Sequence, residues 1–274
     1  MLQNFFEKNQ KEIVVLVRQF LKEDFFPMFP KWKNRISIVI EGSVAGGTYD
    51  AHSDIDLHLV VPARLKKTYS LDEVKAYKKH LRVLGEPVQI HAPTSYDEVQ
   101  AKLEDWTADY ALRESVRALI VVDPEDAFKR IQKFFQWYPK LIFKEKLNWL
   151  FAEAIFRYED RFKVASKRSD LFFGEVNKLE IMRLLLNAYL LANKQFPAFD
   201  KHLMNDISRL SPVPTKLLGQ SQRLLQAQDL RDMDRLLVEL FETVESYCVE
   251  KRLMKQRSRQ EWIDLRPSYQ VKFE

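Results

Sequence analysis

The chain has 274 residues, of which 46% are apolar and 30% charged, and its 6 glycines exclude a low-complexity or collagen-like protein. A formal net charge of +5 favours anionic ligands only weakly, and the one cysteine, Cys248, excludes an internal disulfide framework. The start of the chain lacks the apolar run of a secretory signal, and no stretch approaches the ~18 uncharged residues of a membrane span. We therefore expect a cytoplasmic protein that is folded nearly throughout.

The first half of the chain alternates helical and strand patterns. Apolar residues at helical spacing, β-branched runs and two capping boxes, Ser70 to Glu73 and Ser95 to Glu98, define its elements. In chain order we predict a helix over residues 2–23, a strand over 35–41, a strand over 55–61, a helix over 70–84, a strand over 87–91, a helix from residue 95 and a strand over 118–122.

The second half carries no convincing strand pattern. From Asp123 and Pro124, which resemble a helix start, the apolar residues recur at helical spacing, and residues 257–274 read as a polar tail. Pro139 interrupts this pattern, so we place a domain boundary there. The predicted fold is α+β, with a mixed-sheet domain over residues 1–138 followed by an all-α helical bundle over residues 139–274.

Two aspartates stand out on the strand predicted over residues 55–61. Side chains alternate along a strand, so Asp54 and Asp56 project from one face about 7 Å apart while Ile55 and Leu57 face the core. Two carboxylates so close together on a buried strand are costly without a counter-charge. A metal ion supplies that charge, and we predict both aspartates as metal ligands.

A phosphate-binding segment precedes these carboxylates. Gly42 follows a buried strand and has no β-carbon, so its backbone can approach an anion closely, and the hydroxyl of Ser43 can donate to a phosphate oxygen. A phosphate site and a metal site on adjacent strands suit phosphoryl or nucleotidyl transfer. We predict Gly42 and Ser43, with Asp54 and Asp56, as nucleotide-binding residues.

Gly42-Ser43, ten further residues and Asp54-Ile55-Asp56 between apolar positions resemble the signature of the polymerase-β-like nucleotidyltransferases. The helical second half is similar to the subgroup of kanamycin, lincosamide and streptomycin nucleotidyltransferases. That resemblance implies one or two Mg²⁺ ions, ATP as the nucleotide substrate, and transfer of AMP to a hydroxyl-bearing small molecule of aminoglycoside or lincosamide type. By analogy with those enzymes it also leaves a homodimer open.

The sequence departs from the family at the third carboxylate, which many relatives carry on a later strand. The corresponding strand here carries Gln89 and His91. Glu86, just before that strand, is one substitute, and His91 is itself a base that titrates near neutral pH. Glu153 is another candidate base, one helical turn from Arg157, a candidate phosphate-binding cation; an ordinary surface pair is the alternative interpretation.

Other functions stay open at this point. The same site suits a protein- or tRNA-modifying nucleotidyltransferase, and the missing carboxylate suits a catalytically weak nucleotide-binding module. The basic residues of the last helical turn, Arg252, Lys255 and Arg257 among them, lack the interleaved aromatic residues of a nucleic-acid groove, so we expect no nucleic-acid partner. His52 and His58 flank the aspartates without the spacing of a zinc site, and Cys248 reads as a core residue.

Overall fold

The structure, a computed structural model, describes residues 5–66, 88–104, 106–198 and 200–266. The chain divides into two compact units, Met1–Gln136 and Trp137–Glu274. The first has a mixed sheet, and the second is mostly helical. This confirms the predicted fold class.

The N-terminal helical segment is shorter and more broken than the predicted helix over residues 2–23. A 3-10 turn, Phe5–Glu7, precedes helix α1 (Gln10–Phe20). Asn9 begins α1 through a capping box, because its side chain accepts a hydrogen bond from the Glu12 amide and the Glu12 carboxylate accepts one from the Asn9 amide. The segment continues through a π-helical turn, a short helix α2 and a 3-10 turn, at Leu21–Phe25, Phe26–Met28 and Pro30–Trp32.

Among the described residues, the sheet has five strands: β1 (Ser37–Glu41), β2 (Ile55–Val61), β3 (Val88–Ile90), β4 (Thr94–Ser95) and β5 (Leu119–Val122). The strand order is β3-β2-β1-β5, and β4 also pairs with β2. Strand β1 is antiparallel to β2 and β5, whereas β3 and β4 run parallel to β2. Each predicted strand is present, and its bounds differ from the prediction by at most two residues.

One face of the sheet is apolar and the other carries polar groups. Ile38 and Ile40 on β1 lie opposite Leu59 and Leu57 on β2, and these residues share a buried cluster with α1. The alternate positions put Glu41 directly opposite Asp56 on the other face. The period-two pattern therefore directs the acidic residues away from the core.

The described residues of the first unit contain five further helices. They are α3 (Gly42–Gly46), α4 (Ala63–Lys66), α5 (Tyr96–Glu104), α6 (Asp109–Arg117) and α7 (Ala127–Phe134). The capping box of Ser95 and Glu98 is confirmed at the start of α5. The predicted helix over residues 70–84, with its capping box, lies outside the described residues.

Helix α7 begins later than Asp123 and Pro124 predict. A turn covers residues 123–126, and the Asp123 carboxylate accepts hydrogen bonds from the amides of Phe128 and Lys129 inside the helix. It also accepts one from the hydroxyl of Ser37 on β1. Asp123 thus ties the sheet to the helix and leaves the first helical position to Ala127.

The second unit contains seven helices in its described residues and no strand. They are α8 (Lys140–Phe156), α9 (Lys163–Arg168), α10 (Leu171–Ala192), α11 (Asp200–Ser208), α12 (Thr215–Gln226), α13 (Leu230–Glu250) and α14 (Arg259–Leu265), with a π-helical turn over Arg157–Phe162. This confirms the predicted helical half. Across the described parts of both units, no helix combines the length and apolar character needed to cross a lipid bilayer.

The predicted polar tail from residue 257 is wrong for residues 258–266. Ser258 and Glu261 form a capping box that begins α14, and Trp262 on this helix is fully buried. Its ring lies 5.4 Å from that of Phe151 on α8. One large aromatic side chain is enough to dock a helix whose other residues are mostly polar.

Candidate active site

The end of the sheet where β1 finishes and β2 begins collects the predicted carboxylates. Asp54 immediately precedes β2, Asp56 is its second residue, and both are half-buried. Their neighbours Ile55 and Leu57 are fully buried on the opposite face. The alternation predicted from the sequence thus brings both aspartates to one polar edge.

Gly42 lies against Asp56. Its φ is +67°, in the left-handed region, and a β-carbon added to it would collide with the carboxylate of Asp56. Both features require glycine, because a side chain would be strained and would displace the carboxylate. The chain therefore brings an exposed stretch of backbone and a carboxylate into direct contact, although they are 14 positions apart in sequence.

A third acidic residue, Glu41, lies at this edge. Glu41 faces Asp56 across the two antiparallel strands. The ring of His58 lies between Glu41, at 3.1 Å from Nδ1 to Oε1, and the hydroxyl of Thr94, at 2.9 Å from Nε2. His58 therefore holds the Glu41 carboxylate in place beside the aspartates.

Two side chains contact the aspartates where the family resemblance predicts a third carboxylate, Gln89 on β3 and His91 just after it. The side-chain amide of Gln89 donates to Asp54, and Nε2 of His91 lies 3.0 Å from Oδ1 of Asp56. Because β3 runs parallel to β2 with Gln89 beside Asp56, these two side chains share the acidic face. Gln89 and His91 therefore orient the two aspartates by hydrogen bonds, whereas a third carboxylate in their place would repel them.

Helix α6 adds two groups to the site. The Glu114 carboxylate accepts a hydrogen bond of 2.8 Å from the Gly42 amide, and burial raises the pKa of Glu114. Burial raises the pKa of Tyr110 to about 12, and the nearby charges of Glu114, Glu41 and Asp56 act in the same direction. The negative potential that disfavours a tyrosinate equally favours a bound cation.

These groups enclose a cavity of 310 Å³. Its lining residues are Glu41, Gly42, Asp56, His58, His91, Ala92, Thr94 and Tyr110. The sequence prediction missed Glu41. Alternation along β1 puts it on the polar face, because its neighbour Ile40 faces the core. The sequence prediction had no signal for Glu114 or Tyr110, because only folding brings α6 against Gly42.

Glu86, Glu153 and Arg157 are the remaining predicted site residues. Glu86 lies outside the described residues. Glu153 and Arg157 belong to the helical unit, where Glu153 is only 3% exposed and accepts hydrogen bonds from Arg157, at 2.8 Å, and from Arg266. The surface-pair interpretation of Glu153 is therefore wrong, and the roles predicted for both residues stay predictions.

The donor set fits magnesium bound together with a substrate. No group of three or more His, Cys, Asp or Glu side chains arranged to hold a metal occurs in the part of the chain that the structure describes. Magnesium in nucleotide sites typically uses one or two carboxylates, with substrate phosphates and water as its other ligands. Asp54 and Asp56, beside a glycine backbone that can admit phosphate, match that chemistry.

The comparisons with known proteins agree with this geometry. Residues 17–122 match the model of the nucleotidyltransferase domain family, and residues 106–203 match a domain of unknown function (DUF4037). A crystal structure of a nucleotidyltransferase-like protein from Exiguobacterium sibiricum is similar, with a TM-score of 0.50 and 12% identity over 93% of this chain and 89% of that one. No curated protein matches the chain. Together these findings support the polymerase-β-like nucleotidyltransferase superfamily, and the structural likeness shows the fold alone.

Proposed function

We propose that the protein transfers a nucleoside monophosphate, AMP from ATP, to a hydroxyl group of a small-molecule acceptor in a magnesium-dependent reaction. The contact between Gly42 and Asp56 carries this proposal. It brings the backbone segment that can approach phosphate against a carboxylate that can bind the metal. The nucleotidyltransferase domain matched over residues 17–122 includes both.

Asp54 and Asp56 would hold Mg²⁺, which supplies charge neutralisation of the triphosphate. Gly42 has no β-carbon to collide with the Asp56 carboxylate, and Ser43 is the second residue of α3. Gln89 and His91 fix the directions of the two carboxylates through their hydrogen bonds. Together these residues would hold a triphosphate at this edge of the sheet.

Glu41 takes the place of the third carboxylate in this proposal. It faces Asp56 across the strands, and its carboxylate is fixed by His58. The position expected for the third carboxylate instead carries Gln89 on β3 and His91 just after it. His91 lines the cavity and is half-exposed, so it is the group we assign to accept the proton of the acceptor hydroxyl. Glu86 and Glu153 remain the alternatives that the sequence predicts for this role.

The resemblance to kanamycin and lincosamide nucleotidyltransferases supports a small hydroxyl-bearing acceptor of aminoglycoside or lincosamide type. Gln89 and His91 at the third-carboxylate position favour one other candidate function, a nucleotide-binding module with little catalysis. Both candidates bind magnesium and nucleotide at the same site. Only turnover distinguishes them.

The test is incubation of the purified protein with Mg²⁺ and each α-labelled nucleoside triphosphate. The acceptors are an aminoglycoside and lincosamide panel, a protein lysate and bulk tRNA. We expect label on a small molecule, lost in Asp54→Asn/Asp56→Asn and kept in Asp97→Asn, a matched change on the exposed surface of α5.

Other results would overturn parts of the proposal. Label on protein or tRNA would contradict the acceptor class. Magnesium-dependent nucleotide binding without turnover would identify the binding module, and label transfer that survives in Asp54→Asn/Asp56→Asn would refute the site itself.

A further inference from the structure

A second polar cavity lies within the helical unit, where α13 ends. Its volume is 400 Å³. Residues of α8 form one wall and the chain that leaves α13 forms the other. The lining residues are Lys144, Asn148, Val249, Arg252, Leu253, Met254, Lys255 and Arg257.

The charges that line this cavity are all positive. Lys144, Arg252, Lys255 and Arg257 contribute four cations, and none of the carboxylates that the structure describes lines it. Within the described ranges, none of the four makes an ion pair, whereas Arg157 and Arg235, for example, are paired with glutamates. Arg257 also interacts electrostatically with Glu261, whereas Lys144, Arg252 and Lys255 are exposed cations. Like charges around one cavity repel one another, and a bound anion relieves that repulsion.

Arg257 holds a hydrogen-bond donor without an acceptor. Its guanidinium carbon lies 4.7 Å from the ring centroid of Trp262, which is fully buried and therefore a fixed platform. The Nη1 atom of Arg257 is buried and has no hydrogen-bond partner among the residues that the structure describes. Leaving a buried charged donor unsatisfied is costly, and Arg257 is one of the residues that line the cavity.

A sharp turn brings the cations together. Arg252 has φ of 55°, and the amides of Arg252 and Leu253 donate to the carbonyls of Val249 and Cys248 in the last turn of α13. The chain therefore reverses, and Lys255 and Arg257 return to the same cavity. Cations often stabilise the end of a helix, but that effect is limited to the last turn and does not account for Lys144 on α8.

We propose that this cavity binds the phosphate group of a small phosphorylated molecule. Phosphate offers several acceptor oxygens, and guanidinium and ammonium groups are its usual partners. A cavity of 400 Å³ is of small-molecule size. No aromatic residue among those described lines it, so this part of the chain does not offer the stacking surface with which proteins bind single-stranded nucleic acid. The site is independent of the proposed transfer reaction.

Isothermal titration calorimetry with pyrophosphate, in EDTA and without Mg²⁺, tests the proposal. The Asp54→Asn/Asp56→Asn protein serves as background, so that magnesium-dependent binding at the sheet edge does not contribute. Arg252→Gln/Lys255→Gln changes two exposed cations of the cavity, and Lys167→Gln/Arg168→Gln is the matched control with the same charge change at the exposed end of α9. We expect the cavity variant to weaken binding by at least about tenfold and the control by less than about twofold.

A third variant, Lys144→Gln, approaches the cavity from α8 and should also weaken binding. Equal affinity in the cavity variant and the matched control, or no binding of pyrophosphate by the parent protein, would overturn the proposal. So would tight binding of an RNA oligonucleotide that depends on the same residues and that pyrophosphate does not displace. Circular dichroism of each variant establishes that it is folded.

Discussion

Charged side chains at the sheet edge of the first unit and within the long helices of the second unit are placed differently. In the first unit, the acidic residues line one edge of a sheet, where Glu41 and Asp56 are half-buried and their neighbours along the strand form the core. In the second unit, Lys146, Glu153 and Lys178 are almost fully buried within long helices. The first arrangement leaves carboxylates open to a ligand, and the second uses charge inside the fold.

This difference shows where the periodicity of a sequence can separate site residues from core residues. Along β2, the alternation of two residues separates site from core without any reference to the rest of the chain. In the helical unit, Glu153 is satisfied by Arg157 one turn away and by Arg266, 113 positions further along. A buried charge depends on partners that local sequence does not reveal.

The largest expected effect concerns that buried charge. Glu153→Gln leaves two arginines facing a neutral side chain, and we expect a loss of about 3 kcal/mol in the free energy of unfolding of the helical unit. Urea unfolding followed by circular dichroism measures it. Glu180→Gln is the control, because Glu180 pairs with Arg183 at the surface and its loss should cost less than about 0.5 kcal/mol. Equal stability of the two variants would remove the contrast between the units.

The next effect concerns the sheet edge. Gly42→Ala places a β-carbon against Asp56 at a positive φ, so we expect it to lose about 1–2 kcal/mol of stability and about 100-fold in transfer rate. In Gly46→Ala the new β-carbon would lie at an ordinary 3.6 Å from the Thr48 hydroxyl oxygen, and activity should stay within about twofold of the unmodified protein. Label transfer and thermal unfolding measure both variants. Full activity in Gly42→Ala would show that the backbone contact does not position the substrate.

The smallest expected effect concerns Cys248, whose thiol belongs neither to the candidate active site nor to an ion pair. The residue is fully buried, and burial, with a smaller contribution from Glu245, raises the pKa of its thiol to about 12. Since the thiolate is the reactive form, about one thiol in ten thousand is ionised at pH 8. Ellman's reagent should react at least about 100-fold more slowly with the folded protein than in urea, and leave transfer activity unchanged. Rapid labelling of the folded protein would contradict the buried position.

Much of the first unit follows from its sequence. The strand over residues 55–61 was predicted with the bounds that the structure has, because apolar residues alternate with polar ones and Pro62 ends the run. The capping box at Ser95 was also predictable from the sequence, since its two partners lie three residues apart. Local rules of this kind also predicted that the second half is helical.

The wrong predictions share a cause. Asp123 resembled a helix cap, but in the fold it also binds Ser37, 86 positions earlier in the chain, and α7 begins after a turn. Residues 258–266 resembled a polar tail, yet Trp262 inserts into a core built by α8. In each case a contact distant in sequence outweighed the local preference.

The sequence by itself determined the fold class, the order of the strands along the chain, and the placing of Asp54 and Asp56 on one face behind a glycine. It could do so because strand alternation and glycine geometry act over a few residues. Only the tertiary structure decided that Glu41 faces Asp56, that Glu114 binds the Gly42 amide, and that four cations surround one cavity in the helical unit. Those groups come from separate elements, and their meeting depends on packing between strands and helices that no local pattern encodes.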